Sequence, residues 1–224
     1  MDWLLPPAAS SYASNIDRIY YAILIITGIA FVLVEAGLIW FLFKYRARPG
    51  RVAHYTHGSL KAEVIWTAIP AVTVLILGIV SGRLWSAIKG HDSVPANAIP
   101  IGIDAKQFEW NVKYPGADGQ LGTADDFVVR NQIHVPVNRP VVATLSSEDV
   151  IHSFNVHAFR VKQDAVPGMH IRVWFEATKP GEYELACAEL CGLGHYKMRA
   201  VVTVHTEESY QQWLGERSRT VALR

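Results

Sequence analysis

The chain has 224 residues, half of them hydrophobic, and a formal net charge of +1. A charge so near neutral gives no reason to expect a nucleic-acid partner. The apolar content leaves two arrangements open, one large domain or a small domain with membrane anchors, and the distribution of apolar residues chooses between them.

From Ile19 to Phe43 the sequence is almost free of polar interruption. At about 1.5 Å per residue such a run crosses a hydrocarbon core of roughly 30 Å. A second run extends from Val64 to about Trp85, and its Pro70 is tolerable because a neighbouring helix can satisfy the freed carbonyl. A buried helical hairpin in a soluble protein rarely gives runs of this length. The link over residues 44–63 carries Lys44, Arg46, Arg48, Arg51 and Lys61 against Glu63 alone, which predicts a cytoplasmic loop with both termini and the remaining domain outside. Trp40, Tyr45, Trp66 and Trp85 sit where interfacial anchors belong. The first eighteen residues lack a basic start and an apolar stretch of their own, so the first span is expected to serve as export signal and to be retained. Residues 1–90 thus read as a transmembrane hairpin, with helices over about 19–43 and 64–85, and 91–224 as an exported domain.

Past Leu84 the pattern changes to short alternating stretches separated by turn residues, which indicates an antiparallel sandwich or barrel. Strands are predicted in the segments starting at Ile99, Gln107, Asp126, Arg139, Ile151, His170, Gly181 and Arg199. In the second of these, Phe108, Trp110, Val112 and Tyr114 fall on one face. The loop PGADGQLGTADDF spaces Asp118, Asp125 and Asp126 among glycines as in a calcium-binding turn. A solvated hairpin loop is the plainer reading, and docking of a basic partner is a third. A short helix, EESYQQWLGER, closes the chain with Thr206 as its N-cap.

The chemistry concentrates in CAELCGLGHYKM, from Cys187 to Met198, where two thiols, an imidazole and a thioether fall within twelve residues. Soft sulfur with imidazole selects copper, zinc or iron–sulfur over magnesium or calcium. His152, at the start of a predicted strand, is the upstream histidine a β-fold can bring alongside. A Cys187–Cys191 disulfide would leave His195 and Met198 without a role. A tetrahedral zinc site fits two cysteines and two histidines but has no use for a thioether. A single blue-copper ion leaves one cysteine surplus, whereas two bridging thiolates can serve two ions.

These residues resemble subunit II of haem–copper cytochrome c oxidase. The family pattern C-x-E-x-C-x-x-x-H-x-x-M is matched by Cys187, Glu189, Cys191, His195 and Met198, and SSEDVIHSF supplies His152. The stretches DAVPG, from Asp164 to Gly168, and EVIWTAIPA, from Glu63 to Ala71, also match. The resemblance implies a two-helix anchor followed by a cupredoxin-like Greek-key β-barrel holding a dinuclear copper centre, CuA. Cys187 and Cys191 would bridge the ions and His152 and His195 would be their terminal ligands. Met198 and the Glu189 backbone carbonyl would bind weakly, and the Glu189 carboxylate would reach a magnesium ion at the contact with subunit I.

The family's electron-accepting motif usually reads Gln-Trp-x-Trp, and here it reads Gln107-Phe108-Glu109-Trp110. Electron entry therefore lies with Phe108, through van der Waals contact, or with Trp110, whose plainer reading is a core strand residue. Glu63 matches the glutamate at the mouth of a proton path, with capping of a helix N-terminus as the rival reading. Glu35 lies within the first span, where an ionisable group normally faces a protein partner.

The resemblance implies a proton-pumping terminal oxidase in the plasma or inner membrane, with subunits I and III as partners. Electrons would come from a cytochrome c and pass to a haem of subunit I, where oxygen is reduced. The CuA subunit of a nitric oxide reductase fits the same residues. A membrane-tethered copper carrier or a zinc-stabilised assembly module would need only the metal loop. No C-x-x-C-H motif occurs, so the donor cytochrome is expected on another chain.

Overall fold

In the computed structural model, residues 4–116 and 118–222 are described. They form two compact units, Asn15–Ser86 and the remainder.

The first unit is built on two long helices, α1 (Ala13–Lys44) and α2 (Leu60–Lys89), both long and apolar enough to cross a membrane. Large side chains such as Phe31, Leu33, Leu42, Val74 and Leu75 stay exposed all round, as expected of helices whose solvent is lipid. Both helices run a turn or more past the apolar runs, because polar flanks continue the backbone hydrogen bonding into the interface. At the start of α2 the Ser59 hydroxyl accepts from the Ala62 N–H at 3.4 Å. Ser59 therefore caps the helix, and Glu63 is exposed in its first turn.

The second unit is a sandwich of two five-stranded sheets. Its strands are β1 (Ile99–Lys106), β2 (Glu109–Tyr114), β3 (Phe127–Arg130), β4 (Gln132–Pro136), β5 (Pro140–Ser147), β6 (His152–Val156), β7 (Val161–Ala165), β8 (Ile171–Glu176), β9 (Gly181–Cys187) and β10 (Arg199–His205). One sheet has the order β3-β2-β1-β5-β8 and the other β4-β10-β9-β6-β7. The β1–β5 and β4–β10 pairs are parallel, so strands far apart in sequence lie side by side. Inward-facing residues of both sheets make the core, with the Trp110 ring edge-on to Phe154 at 6.1 Å.

Two sequence expectations are corrected, and one strand was not expected. The segment from Gln107 is not one strand: Gln107 and Phe108 form the turn between β1 and β2, and Phe108 lies at the surface while Trp110, Val112 and Tyr114 are buried. The segment from Asp126 is two strands in different sheets. Asn131, at φ 53°, breaks it; its N–H donates to the Trp110 carbonyl and its side chain accepts from the Trp110 N–H, both at 2.8 Å. Asparagine adopts this left-handed conformation more readily than most residues. Finally, β7 (VKQDA) lies at a sheet edge and has too few apolar residues to show alternation.

The residues just ahead of α1 belong to the sandwich unit. Ala9, Ser10 and Tyr12 are buried, Ser10 bridges to Ala177, and the Tyr12 hydroxyl donates to the Trp174 carbonyl. The closing helix α3 (Glu207–Ala222) has the predicted cap, with the Ser209 N–H donating to the Thr206 hydroxyl at 3.3 Å. It lays Trp213 on His134 at a centroid distance of 4.3 Å. Burial first, then the neighbouring His205 and Arg217, holds the His134 imidazole down at about 4. In the aspartate loop the carboxylates are engaged by the loop itself: Asp118 accepts from the Gln120 N–H and Asp126 from the Gly122 N–H, with Thr123 donating to Asp125.

Candidate metal centre

The sulfur and nitrogen donors converge at one end of the sandwich because strand ends bring them there. His152 opens β6, Cys187 closes β9, and the β6–β9 pairing aligns Phe154 with Cys187. Met198 immediately precedes β10, and its carbonyl accepts from the Cys187 N–H at 3.0 Å, which closes the ligand loop at its base. Between them the chain makes a short turn that carries Cys191 and His195.

The donor atoms form a chain of near contacts. Cys187 Sγ lies 3.9 Å from His152 Nδ1 and 3.8 Å from Cys191 Sγ. Cys191 Sγ lies 3.4 Å from His195 Nδ1 and 3.7 Å from Met198 Sδ. The Glu189 carbonyl oxygen is 3.3 Å from Cys187 Sγ, while the residue as a whole is exposed. His152, Cys187, Cys191 and Met198 are buried.

The sulfur spacing decides what the cysteines can do. A disulfide needs about 2.05 Å, far below the observed separation, and both cysteines are free. Two sulfurs sharing a tetrahedral ion at about 2.3 Å would stand roughly 3.8 Å apart, which is the separation found. Each sulfur also has a different imidazole beside it, His152 at Cys187 and His195 at Cys191. The donor set therefore fits a thiolate-bridged pair of soft ions with one nitrogen apiece, and Met198 and the Glu189 carbonyl stand ready as weaker donors. Burial, then the adjacent Cys187, pushes the Cys191 thiol up to about 12, so without metal it keeps its proton. Binding a metal must release that proton.

Two polar residues to which the sequence reading gave no role at the site hold the candidate ligands in place. Asp149 Oδ1 is 2.8 Å from His152 Nε2, fixing the ring so that Nδ1 faces the sulfurs. Burial works to raise the Asp149 carboxyl, but hydrogen bonds from the Gln107 N–H, His152 and the Val150 N–H outweigh it and hold it below its ordinary value. Asp149 sits three residues before His152 within SSEDVIHSF, so the proximity was visible; the hydrogen bond needed the turn. Gln107 Nε2 donates to the Cys191 carbonyl at 2.6 Å. The DAVPG stretch has a structural task here: Asp164 accepts from Ser153 at 2.7 Å, and Ala165 pairs with His152 across β6 and β7.

Phe108 and Trp110 take opposite positions around the site. The Phe108 ring lies against the ligand loop, so closely that a Cβ on Gly194 would stand 2.4 Å from the ring and one on Gly192 3.3 Å. Glycine at both places is what lets the ring approach. Trp110 is fully buried, with its ring edge toward His152 at 6.2 Å. Glu63 belongs to the helical unit and takes no part in this cluster.

Comparison with known proteins identifies the family. The family profile described as cytochrome c oxidase subunit II, periplasmic domain, matches residues 104–205, and the profile for its transmembrane domain matches residues 1–84. The alternative cytochrome c oxidase subunit 2 of Bradyrhizobium diazoefficiens is 33% identical over 245 residues, spanning 98% of this chain and 86% of the relative. The cytochrome c oxidase subunit 2 of Thermostichus vulcanus is 33% identical over 262 residues, spanning 94% and 77%. A crystal structure of the periplasmic domain of subunit II of cytochrome oxidase from Bradyrhizobium japonicum is 30% identical, covers 57% of this chain and 99% of that one, and superposes with a TM-score of 0.49. The chain belongs to the cytochrome c oxidase subunit II family and is a membrane-anchored subunit of a haem–copper oxidase, an oxidoreductase.

Proposed function

We propose that this chain takes up electrons for its oxidase at a dinuclear copper centre held by Cys187, Cys191, His152 and His195. Met198 and the Glu189 carbonyl are the weak donors. The observation that carries the proposal is the pair of sulfurs 3.8 Å apart, each flanked by a different imidazole. When bound, the copper pair supplies reversible one-electron chemistry with charge shared between two ions. The protein keeps water from the buried donors and holds the His152 imidazole through Asp149 and the loop through Gln107, so little has to move when charge changes.

Electrons arrive from a cytochrome c through Phe108, an aromatic residue that reaches both the surface and the ligand loop, and leave toward a haem of subunit I. Trp110 supports His152 from the core. The Glu189 carboxylate is exposed on the ligand loop and free to bind magnesium at a contact with subunit I. Glu63, exposed in the first turn of α2, stands at the opening of a proton path on the cytoplasmic side. The sandwich faces the periplasm, as the basic link between the helices requires.

Metal analysis and spectroscopy of the full chain test this reading. A copper pair per chain with a mixed-valence signal is the expected result; a single colourless zinc ion would overturn it. A narrower test is Phe108→Ala. Copper content should stay unchanged while electron uptake from reduced cytochrome c slows roughly tenfold, the scale of losing one central aromatic contact. Unchanged uptake in that variant would remove Phe108 from the path.

A further inference from the structure

The sandwich unit contains a second polar site, distant in sequence from the copper ligands. A cavity of about 300 Å³ is lined by Ile88 and Lys89, which belong to the sandwich unit although they end α2, by the turn after them and by the start of β8. Its polar lining is cationic or neutral: Lys89, His91, Ser93, His170 and Arg172, with no carboxylate among the lining residues. Asp92, the acidic residue in this stretch, is almost fully exposed and pairs with His91 at 2.9 Å.

The cations are uncompensated. Lys89 is half-buried, and Nζ donates to the neutral Gln163 Oε1 at 2.6 Å, leaving two of its three N–H groups free. Among the described residues no acid pairs with Lys89, His170 or Arg172. A helix C-terminus normally disfavours anions through its unsatisfied carbonyls. Here the Ile88 carbonyl is already occupied, accepting from Ser93 Oγ at 2.9 Å and from Trp174 Nε1 at 2.8 Å. Ile171, Val173 and Trp174 complete the cavity with apolar surface.

Depth along α2 indicates where the anion comes from. The apolar run ends near Leu84, and five more residues at about 1.5 Å each carry Lys89 roughly 7 Å further. The polar headgroup layer adds about 5–7 Å on each side of the hydrocarbon core. Lys89 thus stands at headgroup depth, just past the interfacial Trp85.

We propose that this cavity binds the phosphate of an anionic phospholipid headgroup through Lys89 and Arg172, with the glycerol backbone against Trp174. The site ties the sandwich to the membrane surface where α2 emerges. The test uses the full chain in phosphatidylcholine vesicles containing phosphatidylglycerol with a photoactivatable headgroup. Labelling is expected within residues 88–94 and 170–174. Lys89→Gln and Arg172→Gln should each lower it about fivefold, the effect of removing one charge near an anionic surface. Lys89→Arg should retain it, and thermal unfolding of the variants should match the parent. Labelling that is unchanged in the double glutamine variant would overturn the site. Labelling abolished by millimolar inorganic phosphate would overturn the lipid assignment in favour of a free anion.

Discussion

Replacing Cys191 with serine is expected to leave the sandwich folded and the copper gone, together with electron uptake from reduced cytochrome c. The substitution is nearly isosteric, and the thiol takes part in no disulfide, so strand content by circular dichroism should not change. Cys191 Sγ is in contact with three other side-chain donors, at 3.8 Å from Cys187, 3.4 Å from His195 and 3.7 Å from Met198. A serine hydroxyl is a harder donor that does not ionise near neutral pH, so it cannot bridge two soft ions. Losing a group that only hydrogen-bonds a ligand weakens metal binding by about 10–100-fold. Asp149→Asn should fall in that range, and Cys191→Ser well beyond it. If the serine variant kept its copper and its spectrum, the bridging role assigned to this sulfur would be wrong.

Trp110→Ala should bring the largest loss of stability of any single substitution around the site. The indole is fully buried, edge-on to Phe154 at 6.1 Å and to His152 at 6.2 Å. Truncating such a ring costs about 3–5 kcal/mol, a large share of the 5–15 kcal/mol that typically holds a domain together. The cavity would lie directly behind His152, so copper affinity should fall with stability. Denaturant midpoints and metal titration of the same sample measure both. Phe108→Ala, at the surface, should do the reverse, sparing stability and affecting uptake. A Trp110→Ala protein with parental midpoint and copper affinity would refute the placement of the indole between core and ligand.

The two aromatic residues also show where sequence reading ran out. Alternation placed Phe108 and Trp110 on one face of one strand, because a period of two cannot register that a hairpin turn has begun. The turn takes Phe108 out to the ligand loop, and only the glycines at 192 and 194, distant in sequence, make room for it. The same limit hid β7, whose polar composition suits a sheet edge, and the break at Asn131, whose partner is Trp110 across the sheet.

Some properties are local enough to be written in the chain itself. The two apolar runs determine membrane anchorage, since a continuous stretch of about twenty such residues has no other favourable solvent. The spacing from Cys187 to Met198 determines which donors share one loop and hence a preference for soft metal ions, because donor chemistry belongs to the side chains. What the tertiary structure alone decided is distance between residues remote in sequence. The pairing of β6 with β9 sets His152 beside Cys187, the turn before β6 aims Asp149 at the imidazole, and within the sandwich unit the packing of Ile88 against Trp174 gathers Lys89 and Arg172 around one cavity. Such contacts depend on sheet order and register, which follow from how the whole core packs.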